Sequence, residues 1–293
     1  MGEILKRVQD DSQRNFKYVW LGFIWNSGFS DWDLKEMDLL IFDMDGVLID
    51  VSRSYREAIQ RTVQLYLETC LGFEKGKRGP VTKEDISFFK SAGGFNNDWD
   101  LTSGLLLYLL SISGLRPSRR KKKFSSVQEV VSHLTAICSN SNKNITQLIQ
   151  EKNLPPFIRK VKLAGGGLKG VRKALKASWQ GWVYGDGDLN RENVVKRIFQ
   201  EVYLGKNFTS FYHLSPLFYK KKGLYLKERL MTPKGILSSL RKRFRLGIAS
   251  GRPRFEAELG LERFRLSPYF DSVVTLDECQ EEETQIFRTT GRR

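Results

Sequence analysis

Two stretches of the chain carry residues that could do chemistry on an anion. In the first, the apolar run Leu39, Leu40, Ile41, Phe42 leads straight into Asp43, Met44, Asp45 and Gly46. A short continuous apolar run reads as a strand buried on both faces, as in parallel sheets. Ligands of open α/β sheets bind beyond the carboxyl ends of the strands. Asp43 and Asp45 are expected at such an end, with Gly46 allowing a tight turn behind them. Two carboxylates placed so closely cost free energy unless a cation or protons balance them. In the second stretch, Leu246, Gly247, Ile248 and Ala249 form a short strand ending in Ser250, Gly251, Arg252 and Pro253, where Pro253 opens a helix. A hydroxyl at a strand tip facing a helix N-terminus is a ready phosphate site. Ser250, Gly251 and Arg252 are its candidate residues; for Arg252 the alternative is an ordinary surface position.

The first stretch resembles motif I of the haloacid dehalogenase-like (HAD) superfamily, an apolar strand followed by D-x-D-G-x-L-x-D, at Asp43, Asp45, Gly46, Leu48 and Asp50. Ser250 in its strand-Ser-Gly-Arg-Pro setting resembles motif II. The resemblance implies an α/β fold: a three-layer Rossmann-like core with an inserted, mainly helical cap that closes over the site and selects the substrate. It implies Asp43 as a nucleophile that forms an aspartyl-phosphate and Asp45 as the general acid and base. Ser250 would anchor the phosphate. An aspartate at position 45 is similar to the phosphatase and phosphotransferase branches. The resemblance also implies magnesium, with Asp43 and Asp45 as candidate metal residues, neutralising charge during transfer from a small phosphorylated substrate.

The chain departs from the family pattern after Ser250. A motif III lysine and a motif IV acidic pair are expected, yet positions 251 to 293 hold no lysine. Ser272 to Leu276 reads as a further strand, followed by Asp277 and Glu278. Arg252 or Arg254 could stand in for the lysine, and Asp277 or Glu278 for the metal carboxylates. Beyond Cys279 the sequence shows no apolar period, so no further strand or helix is expected and the core reads as C-terminally incomplete, with an uncovered sheet edge. Loss of the lysine leaves a second reading, a relative that only binds a phosphorylated ligand or a protein partner.

The elements around these residues suggest five segments: an N-terminal extension at 1–37, the first core strand and motif at 38–51, a helical cap at 52–231, the remainder of the core at 232–278, and an atypical tail at 279–293. Within 52–231, Ser54-x-x-Glu57, Thr82-x-x-Asp85 and Ser126-x-x-Glu129 read as capping boxes that open helices. Leu105 to Leu110 is apolar all round and reads as a buried helix. Asn96, Asn97, Asp98 and Trp99 lie in a polar loop with paired glycines, similar to one in an uncharacterised branch of the same superfamily. They are either a substrate loop or an ordinary loop with a helix cap at Asn97 or Asp98. Gly165 to Gly170 matches G-x-G-x-x-G only formally, because Phe157 to Leu163 makes a poor buried strand; a flexible cap hinge or a helix start is expected. Asp186 to Asn190 fails the calcium-loop pattern at Arg191 and Arg197, and Asn190 is expected to cap the next helix.

At 293 residues the chain is long enough for two domains, and its formal net charge of +16 calls for an anionic partner. Phosphorylated substrates are one class and nucleic acid another. The basic run Arg116 to Lys123 reads first as a solvated loop, with an RNA-binding patch or a localisation signal as the alternatives; no aromatic residue interleaves it, which weakens a stacking platform for single strands. The three cysteines, Cys70, Cys138 and Cys279, follow no ligand or disulfide spacing. With no run of 18 apolar residues, no membrane partner is expected, and a cytoplasmic setting fits. No feature of the sequence sets an oligomeric state.

Overall fold

The computed structural model describes residues 18–20 and 38–290, apart from 77, 96, 120 and 139–143. Asn96 of the candidate loop and most of 1–37 therefore lie outside the described residues. In chain order the elements begin with β1 (Tyr18–Trp20), β2 (Leu39–Phe42) and β3 (Ile49–Asp50). Among the described residues nine α-helices follow: α1 (Tyr55–Leu65), α2 (Lys83–Ser91), α3 (Asp98–Ser111), α4 (Val127–Cys138), α5 (Ile145–Glu151), α6 (Leu154–Leu163), α7 (Gly167–Ala174), α8 (Val194–Leu204) and α9 (Asn207–Tyr212). The chain then forms β4 (Arg229–Leu230), α10 (Lys234–Arg241), β5 (Arg245–Ala249), α11 (Arg254–Phe264), β6 (Ser272–Val274) and α12 (Leu276–Thr290). Two compact units result, one made of Ser52–Lys227 and the other of the residues up to Val51 together with Glu228 onward.

The second of these is an α/β unit. Its parallel sheet has the order β1-β2-β5-β6, with Leu39 opposite Arg245 and Phe42 opposite Ile248. β2 does not show the burial on both faces that its apolar run suggests. Leu40 and Phe42 are buried while Leu39 and Ile41 are half-buried, because the core forms on the face where Leu237 of α10 and Ala257 and Leu261 of α11 pack with Leu246 and Ile248. Two further expectations are corrected. Residues 18–20, assigned to an extension, pair with β2 as a strand of the sheet. The tail, expected to lack any element, forms the 15-residue helix α12. That helix is polar nearly all round, so it leaves no apolar period to read. Its support is local: Asp277 and Glu278 in the first turn and Arg288 in the last complement the helix dipole, and its Glu and Gln residues favour helix intrinsically.

The unit Ser52–Lys227 contains helices and no strand among its described residues. α3 is buried from Leu101 to Leu110, as its all-apolar middle requires. Thr82 and Asp85 make the reciprocal capping box at α2. Ser54 makes no side-chain cap; Glu57 instead pairs with Lys227 at 2.6 Å. The cap of α8 is Asn193, which accepts from the Lys196 amide at 2.9 Å, and not Asn190. The glycines of the formal nucleotide fingerprint have a packing role. Gly167 donates its amide to the Gly93 carbonyl at 2.7 Å, and the backbones at Gly93–Gly94 and Gly166–Gly167 meet so closely that a Cβ on Gly167 would overlap the Gly94 carbonyl. Gly94 and Gly167 also adopt φ of +74° and +58°, which side chains disfavour.

Candidate active site

The parallel pairing of β2 with β5 decides the geometry. Because Phe42 lies opposite Ile248, Asp43 and Ser250 emerge from neighbouring strand ends. A compact loop follows Asp43: Leu48 and Ile49 donate their amides to the Met44 carbonyl at 3.1 and 2.8 Å, and Gly46 donates to Ile49 at 2.8 Å. Gly46 turns this loop with φ of +77°. Met44 points inward and is fully buried, which leaves Asp43 and Asp45 on the other side of the backbone. The loop is tied down by Thr232, whose hydroxyl donates to the Val47 carbonyl at 2.8 Å, and by the Met231 amide, which donates to Leu48 at 2.8 Å.

Asp43 is partly buried. Desolvation pushes its carboxyl above the usual carboxylate range, and the charge of Asp45 pushes it the same way. The backbone amides of Met44 and Asp45 and the charge of Arg252 oppose the shift without cancelling it. Ser250 is buried, donates its amide to Val274 at 2.9 Å, and accepts the Arg252 amide on its hydroxyl oxygen at 3.2 Å. Its hydroxyl hydrogen is therefore the part of the group left to donate to a ligand.

Arg252 is not the surface residue that the sequence allows for. It is 2% exposed. Its Nε and Nη2 each stand 2.7 Å from Asp45 Oδ1. On its other side it meets Glu228, with Nη2 to Oε1 at 3.2 Å and Nη1 to Oε2 at 3.4 Å. Glu228 is 3% exposed. No local signal in the sequence marks Glu228: it sits before the two-residue strand β4, 24 positions from its partner, and only the fold joins them. Gly251 is exposed in the turn between β5 and α11.

Of the residues offered as substitutes for the expected lysine and metal carboxylates, Arg254, Asp277 and Glu278 are placed away from the aspartate loop. Arg254 pairs with Glu278 and donates to the Val273 carbonyl at 2.9 Å. Asp277 accepts the Arg254 amide. Burial alone would raise the Glu278 carboxyl, but hydrogen bonds from Thr275 and Arg254 outweigh it and hold the group down at about 2. These contacts fasten the start of α12 to the start of α11. Of the two candidate arginines, Arg252 is the one in contact with the aspartate loop.

Among the described residues, no group of three or more Asp, Glu, His or Cys side chains converges to hold a metal ion. Asp45 is in contact with a guanidinium, which competes with a cation for the same oxygen. Magnesium is commonly held by one or two carboxylates together with substrate phosphate and water. Asp43 fits a cation that arrives with a phosphate ester; the donor set does not form a preassembled protein cage.

The candidate loop at Asn97–Trp99 belongs to the helical unit, where its side chains cap and pack. Asn97 accepts the Asp100 amide at 2.7 Å as the cap of α3. Asp98 pairs with Lys90 at 3.2 Å. Trp99 packs edge-on against Phe199, and Lys196 lies 4.7 Å from its ring centre.

No family model matches the chain. A curated protein, the imidazoleglycerol-phosphate dehydratase of Phytophthora nicotianae, is 35% identical over 101 residues, which is 34% of this chain. The matched stretch spans only 20% of that protein's length. Among solved structures, an X-ray structure of a Northeast Structural Genomics Consortium target is 20% identical with a TM-score of 0.52, covering 86% of this chain and 73% of that one. Phosphatase Tt82 from Thermococcus thioreducens is 23% identical with a TM-score of 0.48, covering 82% and 72% of the two chains. The likeness to the consortium target extends over both units and supports a shared α/β fold with a helical part.

Proposed function

We propose that the chain is a phosphohydrolase acting on a small phosphorylated substrate through an aspartyl-phosphate. The observation that supports this most is the meeting of Asp43, Asp45 and Ser250 at two adjacent parallel strand ends, with a buried arginine against the second aspartate. In this reading a carboxylate oxygen of Asp43 attacks phosphorus, and the bond from phosphorus to the ester oxygen breaks. Asp45 delivers a proton to the departing oxygen. A water then attacks the phosphorus of the acyl phosphate, Asp45 takes its proton, and the bond to Asp43 breaks to release inorganic phosphate. Ser250 donates its hydroxyl hydrogen to a phosphate oxygen throughout. Magnesium would be held by Asp43 and would supply charge neutralisation.

The test is hydrolysis of an aryl phosphate by the purified chain with magnesium, beside Asp43→Asn and Asp45→Asn. Turnover that vanishes in Asp43→Asn and falls about 10²- to 10⁴-fold in Asp45→Asn supports the reading. A folded, soluble chain without turnover overturns it.

The Arg252–Asp45 pair favours a second reading, a protein that binds a phosphorylated ligand without turning it over. The guanidinium occupies the Asp45 Oδ1 oxygen from two nitrogens at 2.7 Å, whereas the first chemical step needs this carboxyl to face the departing oxygen. Phosphate binding by calorimetry without turnover would select this second reading.

A further inference from the structure

The basic excess of the chain is confined to one unit. Residues 52–227 hold 31 Lys and Arg against 13 Asp and Glu, whereas the remaining positions hold 18 against 20. The entire positive net charge therefore belongs to the helical unit. One phosphate ester needs two or three cationic groups; an excess of this size suits a polyanion.

Within that unit a groove of about 1140 Å³ is lined by the basic run Lys121–Lys123 and by Phe124 on one side, and by Tyr184 and Arg191 on the other. The run is fixed at its base. Lys121 pairs with Asp186 at 2.7 Å, and Arg172 holds the same carboxylate at 2.8 Å. The Lys121 ammonium lies 5.7 Å from the centre of the Tyr184 ring, and the Lys122 amide donates to the Tyr184 hydroxyl at 3.3 Å. Lys122, Lys123 and Arg191 are exposed, so their charged ends extend from an anchored backbone into the groove.

No aromatic residue lies inside the basic run, but Phe124 follows it directly in the sequence and folding brings Tyr184 against it. Phe124 is half-buried, set edge-on to Tyr184 at 5.8 Å and beside His133 at 5.1 Å. Glu192 also lines the groove, as does Glu129, whose two oxygens already accept from the Ser125 amide and hydroxyl. These three kinds of group match the three parts of an unpaired nucleotide. Lysine and arginine neutralise phosphodiester oxygens, an aromatic ring takes the face of a base, and carboxylates accept from exocyclic amines. A duplex hides base faces, and a lipid surface offers no ring to stack on Phe124.

We infer that this groove binds single-stranded nucleic acid, with Lys122, Lys123 and Arg191 on the phosphates and Phe124 against a base. The inference does not rest on the phosphohydrolase reading.

The test uses fluorescence anisotropy of the full chain with a labelled 12-nucleotide strand of mixed sequence, as RNA and as DNA. Saturable binding to either strand is expected, about 20-fold weaker at 200 mM than at 50 mM salt if three phosphates are neutralised. The triple variant Lys122→Glu, Lys123→Glu, Arg191→Glu should lose at least tenfold in affinity. A charge-matched triple variant in another exposed loop, Lys220→Glu, Lys221→Glu, Lys222→Glu, should lose far less. Phe124→Leu keeps every charge and should still weaken binding several-fold. All the altered lysines and Arg191 are exposed, and unchanged circular dichroism would confirm folding. The inference is overturned by absence of binding at 50 mM salt, by equal losses in the two triple variants, or by tighter binding to duplex or to phosphatidylserine vesicles than to the single strand.

Discussion

Arg252 Nε and Nη2 both stand 2.7 Å from a single oxygen of Asp45, while the far edge of the same guanidinium faces Glu228. One buried cation thus lies between two carboxylates, one partly exposed in the motif loop and one enclosed. The arrangement joins the start of the α/β unit to its end across 207 positions of sequence. It also explains why a glutamate can be buried at position 228: its charge is matched in place.

Removing one member of that cluster should be costly. Arg252→Met removes the guanidinium that contacts both Asp45 and Glu228, and a loss of about 3–5 kcal/mol is expected. The double variant Arg252→Met, Glu228→Met removes both enclosed charges and should recover much of that loss, since apolar replacement of a buried pair is often neutral. Urea unfolding of the three proteins checks this. A double variant no more stable than Arg252→Met would show that the cluster is not the source of the loss.

A second buried carboxylate holds the helical unit together. Glu201 is fully buried, pairs with Arg197 at 2.7 Å, and accepts the amides of Leu217, Phe218 and Tyr219. Glu201→Ala takes the counter-charge from the buried Arg197 and strands three amides at once, so a loss of about 3–5 kcal/mol is expected. Hydrogen exchange should show the amides of 217–219 losing protection before the rest of the unit. Retained protection there would contradict the assignment.

The crossing of the two glycine segments should tolerate no side chain. Gly167→Ala combines a left-handed backbone with overlap at Gly94, and a loss above about 2 kcal/mol is expected. Gly235→Ala is a suitable control, because a Cβ there meets nothing within 4 Å and the position lies in α10. The control should leave the melting temperature unchanged or raise it slightly.

The start of α12 should weaken in acid. Glu278 has a folded value of about 2, below that of an unfolded glutamate. A depressed carboxylate contributes stability above its unfolded value, and that contribution disappears as pH falls from the ordinary carboxylate range toward 2. Because the group is partly exposed, its contribution is no more than about 1 kcal/mol. The parent should therefore exceed Glu278→Gln in stability at pH 6, and the two should converge near pH 2. A difference that stays constant across that range would assign the effect to packing.

Some of this protein is local in origin and therefore open to reading from sequence. The apolar run before Asp43 and the turn at Gly46 are set by adjacent residues. So are the capping box of Thr82 and Asp85 and the all-apolar middle of α3. The strand before Ser250 and the helix after Pro253 belong to the same class. Each depends on contacts within a few positions, where residue type and spacing are sufficient. What the tertiary structure decided depends on contacts between distant positions. Arg252 turns inward because Asp45 and Glu228 are brought to it, and the triple glycine serves a backbone crossing because Gly93 and Gly94 lie against it. Asp277 and Glu278 face Arg254 instead of the aspartate loop. The polar helix α12 forms without an apolar stripe, since its support comes from charges at its ends and from intrinsic propensity, which hydrophobic periodicity does not report. Strand pairing between β2 and β5 then sets Asp43 beside Ser250, a neighbour relation across some 200 positions that no local pattern can specify.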